Sequence, residues 1–381
     1  MLVTDNSNLA IVGAGVIGLS VAWRAAAAGH RVTVLDPALR GHPPGSAAPP
    51  PNASWLAGGM LAPVTEAWFG EEAALRLGEE SLRRWPDFAA DLRAEGHDPG
   101  LATAGTLVVA ADAADAEQLT ELADYLESLG RAVTRLPGRA LRRHEPGLGP
   151  ALRGGLLVPG DLAVDNRALL TAMLAAGARR GVRFVAEEVV EVGPGLVRTD
   201  GATHRGDVVV LAAGAWSARL HPELAHRVRP LKGEILRLRA RRTTLPPPGH
   251  TVRAVVEGRP CYLVPRAGGE LVLGATQYEA GFDTTVTARG VRELLESAER
   301  VFPAIAEFEL VETAAGVRAG SADTLPYIGE LADGVLAATG HHRNGLLLAP
   351  VTADAVLALL SGGDPPPHVA AAHPLRSEER V

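Results

Sequence analysis

Lysine and cysteine are nearly missing from this 381-residue chain, in which Lys232 and Cys261 stand alone. One cysteine excludes an internal disulfide framework, a paired-thiol redox motif and a cysteine metal cage. One lysine, followed by Gly233, excludes a Walker A phosphate loop, which needs Gly-Lys-Ser/Thr. Lys232 is then the sole candidate for a pyridoxal phosphate Schiff base, and no other feature supports that chemistry. Aromatics are 4% of residues and the net charge is −7, which argues against base-stacking platforms and a basic nucleic-acid face. The most apolar stretch, 9–29, carries Ser20, Trp23 and Arg24 and no basic residue precedes it, so neither a membrane span nor a leader is expected. A cytoplasmic protein is the resulting expectation. No G-x-S-x-G elbow and no HExxH occurs. His341 and His342 are adjacent, so on a helix or strand they diverge, and no metal site is expected.

Glycine and alternating apolar segments are what the chain has instead. A short apolar run, 9–12, leads into Gly13-Ala-Gly15-Val-Ile-Gly18, an Ala-rich helical stretch to residue 28, and a second apolar run, 31–35, ending at Asp36. Strand, glycine turn, helix, strand and acid in this order form a dinucleotide-binding unit. The glycines provide a tight turn, close approach of backbone to a diphosphate, and close packing of helix on strand. The helix N-terminus offers N–H groups and a positive dipole end. Asp36 is placed to accept from ribose hydroxyls. The unit by itself does not separate NAD from FAD.

Residues 41–53 form a Pro/Gly/Ser/Ala-rich loop. Helices are predicted over 71–95, 114–130, 169–181, 290–302 and 344–360, and strands over 105–110, 182–185, 208–212, 233–239, 252–257, 261–265, 271–276 and 335–338. β-rich blocks interrupting α/β segments predict a discontinuous α/β nucleotide domain with a sheet-based domain inserted. The expected ranges are 1–90, 150–222 and 318–364 for the first, 91–149 and 223–317 for the second, and 365–381 for a tail whose end, from Arg376, reads as frayed. Arg318 and Arg343 stand among small and apolar residues, where a guanidinium needs a partner. A carboxylate ligand and a structural ion pair both satisfy that need.

Five stretches, NASWLAGGMLAP (52–63), CYLVPR (261–266), GATQYEAGFD (274–283), AAGVRAGSADTLPYIGE (314–330) and ATGHHRNGLLLAP (338–350), together resemble the D-amino acid oxidase-like FAD oxidoreductases. The branch they most resemble is that of the glycine oxidases of thiamine biosynthesis. The resemblance spans roughly 8–365 and implies an α/β (α+β overall) fold with a Rossmann-like FAD-binding domain and an inserted, mainly antiparallel-sheet substrate domain. It implies non-covalent FAD, since Cys261 is not where related enzymes attach flavin. FAD would be held by Gly13, Gly15, Val16, Ile17, Gly18 and Asp36, by Ala53, Ser54, Gly58, Gly59 and Met60, by Val189, and by His341, His342, Arg343, Asn344, Gly345, Leu346 and Leu347. The resemblance further implies that Arg318 clamps a substrate carboxylate, with Tyr262 as hydroxyl donor and Arg343 beside the pocket. Glycine would lose hydride from its α-carbon to the flavin, giving an imine that hydrolyses to glyoxylate and ammonia, while oxygen becomes hydrogen peroxide. No side-chain base is required. Sarcosine, D-alanine or D-proline oxidation or dehydrogenation, and a non-catalytic flavoprotein subunit, are the alternatives. A homotetramer is implied by resemblance only. Two departures, Ala319 where proline is common and His342 where an aromatic is common, bear on pocket shape.

Overall fold

The N-terminal apolar run forms a strand, Asn8–Val12, in the computed structural model, which describes residues 7–41 and 52–377. The Pro-rich stretch 42–51 and residues 378–381 lie outside the described residues. Alternation sends Leu9 and Ile11 to one hydrophobic cluster and Ala10 and Val12 to another, so the strand is buried on both faces. That is the signature of a central strand in a covered parallel sheet. The sheet has six strands, in the order Tyr327–Ala332, Val335–Thr339, Val208–Leu211, Asn8–Val12, Arg31–Leu35 and Arg183–Val185. All neighbours run parallel except the first pair.

Helices Val16–Ala27, Glu72–Ala94, Asn166–Arg179 and Gly345–Leu360 contribute to one of the two clusters. The antiparallel strands Val189–Gly193 and Leu196–Thr199 contribute to the other. Glu72–Ala94 is one helix of 23 residues despite Pro86, with Trp85 and Phe88 fully buried and the Phe88 ring packed edge-on against both Trp23 and Trp85.

A second sheet has eight strands, in the order Glu309–Gly320, Arg229–Arg239, Glu270–Gly274, Arg259–Pro265, Thr251–Val256, Thr106–Ala110, Gly154–Val158 and Thr134–Pro137. Seven pairings join these strands, and only that of Thr251–Val256 with Thr106–Ala110 is parallel. Helix Ala288–Val301 covers one face, where Leu294, Ala298 and Val301 meet Leu236, Leu238, Leu263 and Leu273. The opposite face carries Ile235, Val264 and Val272 and packs on Leu56, bringing this sheet against the segment after the nucleotide unit.

The mixed α/β architecture with a mainly antiparallel second sheet matches the expected class. Three details differ. Gly154–Val158, expected in the nucleotide domain, pairs instead within the eight-stranded sheet. Glu309–Gly320, a twelve-residue strand bearing Arg318, went unread because alanine and glycine give it little strand signature. Its order comes from pairing along its whole length with Arg229–Arg239. The end of the tail is also not frayed at Arg376. Val369 and Ala372 are buried, and the Arg376 guanidinium forks onto Asp323 with both contacts at 2.7 Å.

Candidate active site

The glycine turn is shaped by contacts that only glycine permits. Gly13 has φ +112°, and a Cβ on it would stand 2.4 Å from the Ala212 carbonyl oxygen; one on Gly18 would stand 1.9 Å from that of Gly13. Asp36 fastens this turn to the second strand, accepting from the Ala14 N–H at 2.7 Å and the Ala38 N–H at 2.8 Å. Burial pushes its carboxyl above the ordinary aspartate range.

Beside the turn runs a groove of about 430 Å³, lined by Gly13, Gly15, Val16, Ile17, Asp36, Ala53, Ser54, Val189, His341, His342 and Gly345. Two helix N-termini open there, those of Val16–Ala27 and Gly345–Leu360. Neither has a side-chain cap or an acid in its first turn. The Val16 N–H donates to Ser54 Oγ at 3.0 Å, and two positive dipole ends face the groove with no acid in either first turn, as an extended anionic cofactor requires. The lining residues therefore fit a dinucleotide.

A second cavity of about 330 Å³ shares Val16, Ala53, Ser54, Arg318, His342 and Gly345 with the groove. It adds Gly58, Gly59, Met60, Tyr262, Arg343 and Leu346 from the expected set. Arg318 projects over Gly233, where a Cβ would be 2.3 Å from Nη1. Tyr262 occupies the space left by Gly58 and Gly274, whose Cβ atoms would stand 2.6 Å and 2.4 Å from its ring and hydroxyl. Three side-chain deletions in sequence thus make room for one guanidinium and one phenol.

Arg318 donates to the Thr276 carbonyl at 3.2 Å, and among the described residues no carboxylate lies within ion-pair distance of it. Burial lowers its pKa from the ordinary arginine value and raises that of the Tyr262 hydroxyl, so at neutral pH a cation stands beside a neutral phenol. Burial also pushes His341 and His342 down to about 3, leaving both imidazoles neutral. His341 Nε2 meets Thr352 Oγ1 at 3.0 Å, which accounts for its place in the core.

Three expected residues, Gly18, Asn344 and Leu347, line neither cavity. Gly18 serves packing of the turn. The Leu347 side chain lies in the core, and its carbonyl accepts from Ser81 and Trp85. Asn344 precedes the helix without capping it through its side chain.

Sequence reasoning missed Glu66, Trp68, Arg253 and Gln277, which line the second cavity. Arg253 was within reach of a period-two reading. Val252, Ala254 and Val256 enter the sheet's core, so Arg253 faces the other way, next to its register partner Tyr262. It donates to the Thr65 carbonyl and lies 3.5 Å from Glu66. Arg343 stacks over Trp68 with its guanidinium carbon 5.7 Å from the ring centre.

Comparison with known proteins is consistent with this geometry. The family model described as FAD dependent oxidoreductase (DAO) matches residues 8–359. The glycine oxidase of Geobacillus kaustophilus is 33% identical over 361 residues, 92% of this chain and 91% of that protein. A putative thiamine biosynthesis oxidoreductase ThiO of Rhizobium etli is 32% identical over 346 residues, 90% and 93% of the two chains. The crystal structure of glycine oxidase from Geobacillus kaustophilus superposes with a TM-score of 0.88 at 32% identity, covering 99% of this chain and 100% of that one. With its glycine turn, two helix termini opening on one groove and matching family model, the chain belongs to the FAD-dependent oxidoreductase family typified by D-amino acid oxidase, and FAD is its cofactor.

Proposed function

We propose that this FAD-dependent amino acid oxidase takes glycine, converting it through an imine to glyoxylate and ammonia and passing its electrons to oxygen as hydrogen peroxide. The observation that carries the reading is Arg318, a cation with no acid partner among the described residues, standing beside the Tyr262 hydroxyl where cavity and groove meet. A planar guanidinium next to a hydroxyl donor matches a carboxylate in shape and charge.

The Gly13–Gly15 turn, Asp36, Ser54 and the Gly345 helix terminus would hold FAD, which would supply the acceptor for the two electrons leaving the α-carbon. The protein's own residues orient and exclude. Arg318 and Tyr262 fix the carboxylate, which sets where the α-carbon sits relative to the groove. Trp68 and Met60 line the cavity with apolar surface. Neutral His342, the raised Tyr262 hydroxyl and the Arg253-paired Glu66 provide no strong base, in keeping with a reaction whose one proton requirement is a neutral substrate amine. The similarity to glycine oxidases and to a thiamine biosynthesis oxidoreductase supports glycine as substrate and thiazole supply as the role. A cytoplasmic homotetramer goes with that reading.

Peroxide release from the FAD-loaded enzyme with glycine, sarcosine, D-alanine and D-proline tests it. Glycine is expected to lead in kcat/KM; sarcosine or D-proline far ahead of glycine would refute the assignment while leaving the family intact.

A further inference from the structure

A third cleft, about 630 Å³, shares no lining residue with the groove or the substrate cavity. Arg237 lines it from the inner face of the eight-stranded sheet and is 7% exposed. Its Nη2 donates to Asn166 Oδ1 at 3.2 Å, and its Nε has no partner among the described residues. Burial, with Arg167 and Arg266 nearby, lowers its pKa to about 10, which leaves it charged at neutral pH. Glu312, its register partner, and Asp165 act on its charge from a distance, but no carboxylate of the described residues stands within 4.0 Å of it, unlike its arginine neighbours. Arg167 holds both oxygens of Glu312 at 2.8 and 2.9 Å, Arg266 stands 4.0 Å from Asp165, and Arg239 donates to Glu270 at 2.7 Å. Arg237 makes no direct ion pair among the described residues, and a buried cation with spare donors is stabilised by an anion.

The same cleft is lined by Asp98, Asp165 and Glu270. Each spends one oxygen on a neighbour: Asp98 Oδ1 on Arg93 and Gly100, Asp165 Oδ1 on the Arg167 and Ala168 N–H groups, and Glu270 Oε1 on Arg239. The second oxygens accept no hydrogen bond from the described residues, although Asp165 Oδ2 stands 4.0 Å from Arg266 Nε. A multiply charged anion such as phosphate is repelled by three carboxylates, and a simple cation by the arginines. A small molecule carrying both charges satisfies both sets.

We infer that this cleft is a second binding site for a small zwitterionic amino acid, its carboxylate on Arg237 and its ammonium toward Asp98, Asp165 and Glu270. The inference stands apart from the reading of Arg318, because the two sites have no residue in common.

The test is calorimetric titration of FAD-loaded protein at low ionic strength with 2-aminoisobutyrate, whose α-carbon bears no hydrogen to be oxidised. Wild type is expected to bind two equivalents per chain. Arg237→Gln is expected to lose one of them, by about tenfold or more in affinity, while kcat/KM for oxidation stays unchanged. Asp98→Asn, on the exposed rim, is expected to weaken the same event several-fold and guards against a folding defect in the buried variant. Undiminished binding by both variants overturns the inference. So does displacement of the probe from this site by acetate at equal concentration, which would make it a plain anion site. A single equivalent in wild type that Arg318→Gln abolishes also overturns it, while leaving the substrate clamp supported.

Discussion

Arg318 donates from Nη1 to the carbonyl oxygen of Thr276 at 3.2 Å, so the guanidinium is aimed by backbone rather than by a carboxylate. An acid in that place would neutralise the charge that a substrate carboxylate needs. Replacing Arg318 with alanine is expected to raise KM by one to two orders of magnitude, the loss of a charge-assisted contact of roughly 1.5–3 kcal/mol. Steady-state kinetics over a wide glycine range, with flavin content measured in parallel, checks this. An unchanged KM places the clamp elsewhere.

Thr276 is itself held from behind. The Glu234 N–H donates to Thr276 Oγ1 at 2.8 Å, and fully buried Glu234 also accepts from the Thr287 N–H at 2.7 Å. Lys232 bonds Asp283 at 2.6 Å and stands 4.0 Å from Glu234. The single lysine is thus a positioning residue that ties down the segment whose carbonyl aims Arg318. Lys232→Met is expected to lower Tm and to raise KM more than it lowers kcat, because the clamp loses its aim while the groove is untouched. Lys232→Arg is expected to recover part of the Tm. Equal effects of Lys232→Met on KM and kcat would contradict a positioning role.

Two buried groups pull stability in opposite directions with pH. Asp161 is fully buried, accepts from Thr65 Oγ1 at 2.7 Å, and is pushed by burial up to about 7 from an ordinary 3.8. The folded state therefore keeps a proton that the unfolded chain has released, and this contribution is lost as pH rises from about 4 through about 7. His341, pushed down to about 3 from 6.5, refuses a proton that the unfolded chain takes, so its contribution is lost as pH falls from about 6.5 toward 3. Between pH 4 and 6.5 the two oppose each other. Thermal unfolding of FAD-loaded protein across that range is expected to show a steeper acid loss for Asp161→Asn and a shallower one for His341→Gln. Parallel profiles for both variants and wild type would contradict the burial of these groups.

Legibility in the sequence followed the range of each signal. The nucleotide unit was readable because its strand, turn, helix and acid fall within 29 consecutive residues, 8–36, and each glycine answers a local steric demand. Arg318 stood out through its apolar neighbours, yet the strand beneath it did not, because pairing with Arg229–Arg239 is long-range and leaves no periodic mark on an Ala/Gly segment. Glu66 and Trp68 belong to an irregular segment, 62–71, where no period exists to betray a facing direction. Arg237 was missed for the opposite reason. It lies in a strand with clear alternation, where an arginine on the non-core face passes for a solvated one until the second layer is seen to cover it.

The six residues common to groove and cavity form the seam along which the two spaces open into one another. Adaptation to new substrates is therefore unevenly free. Changes at Arg318, His342 or Gly345 remodel both rooms at once and trade selectivity against flavin retention. Changes at Glu66, Trp68, Gln277 or Arg343 touch only the outer room. Divergence within this scaffold is expected to accumulate on that outer wall, leaving the shared seam almost unaltered.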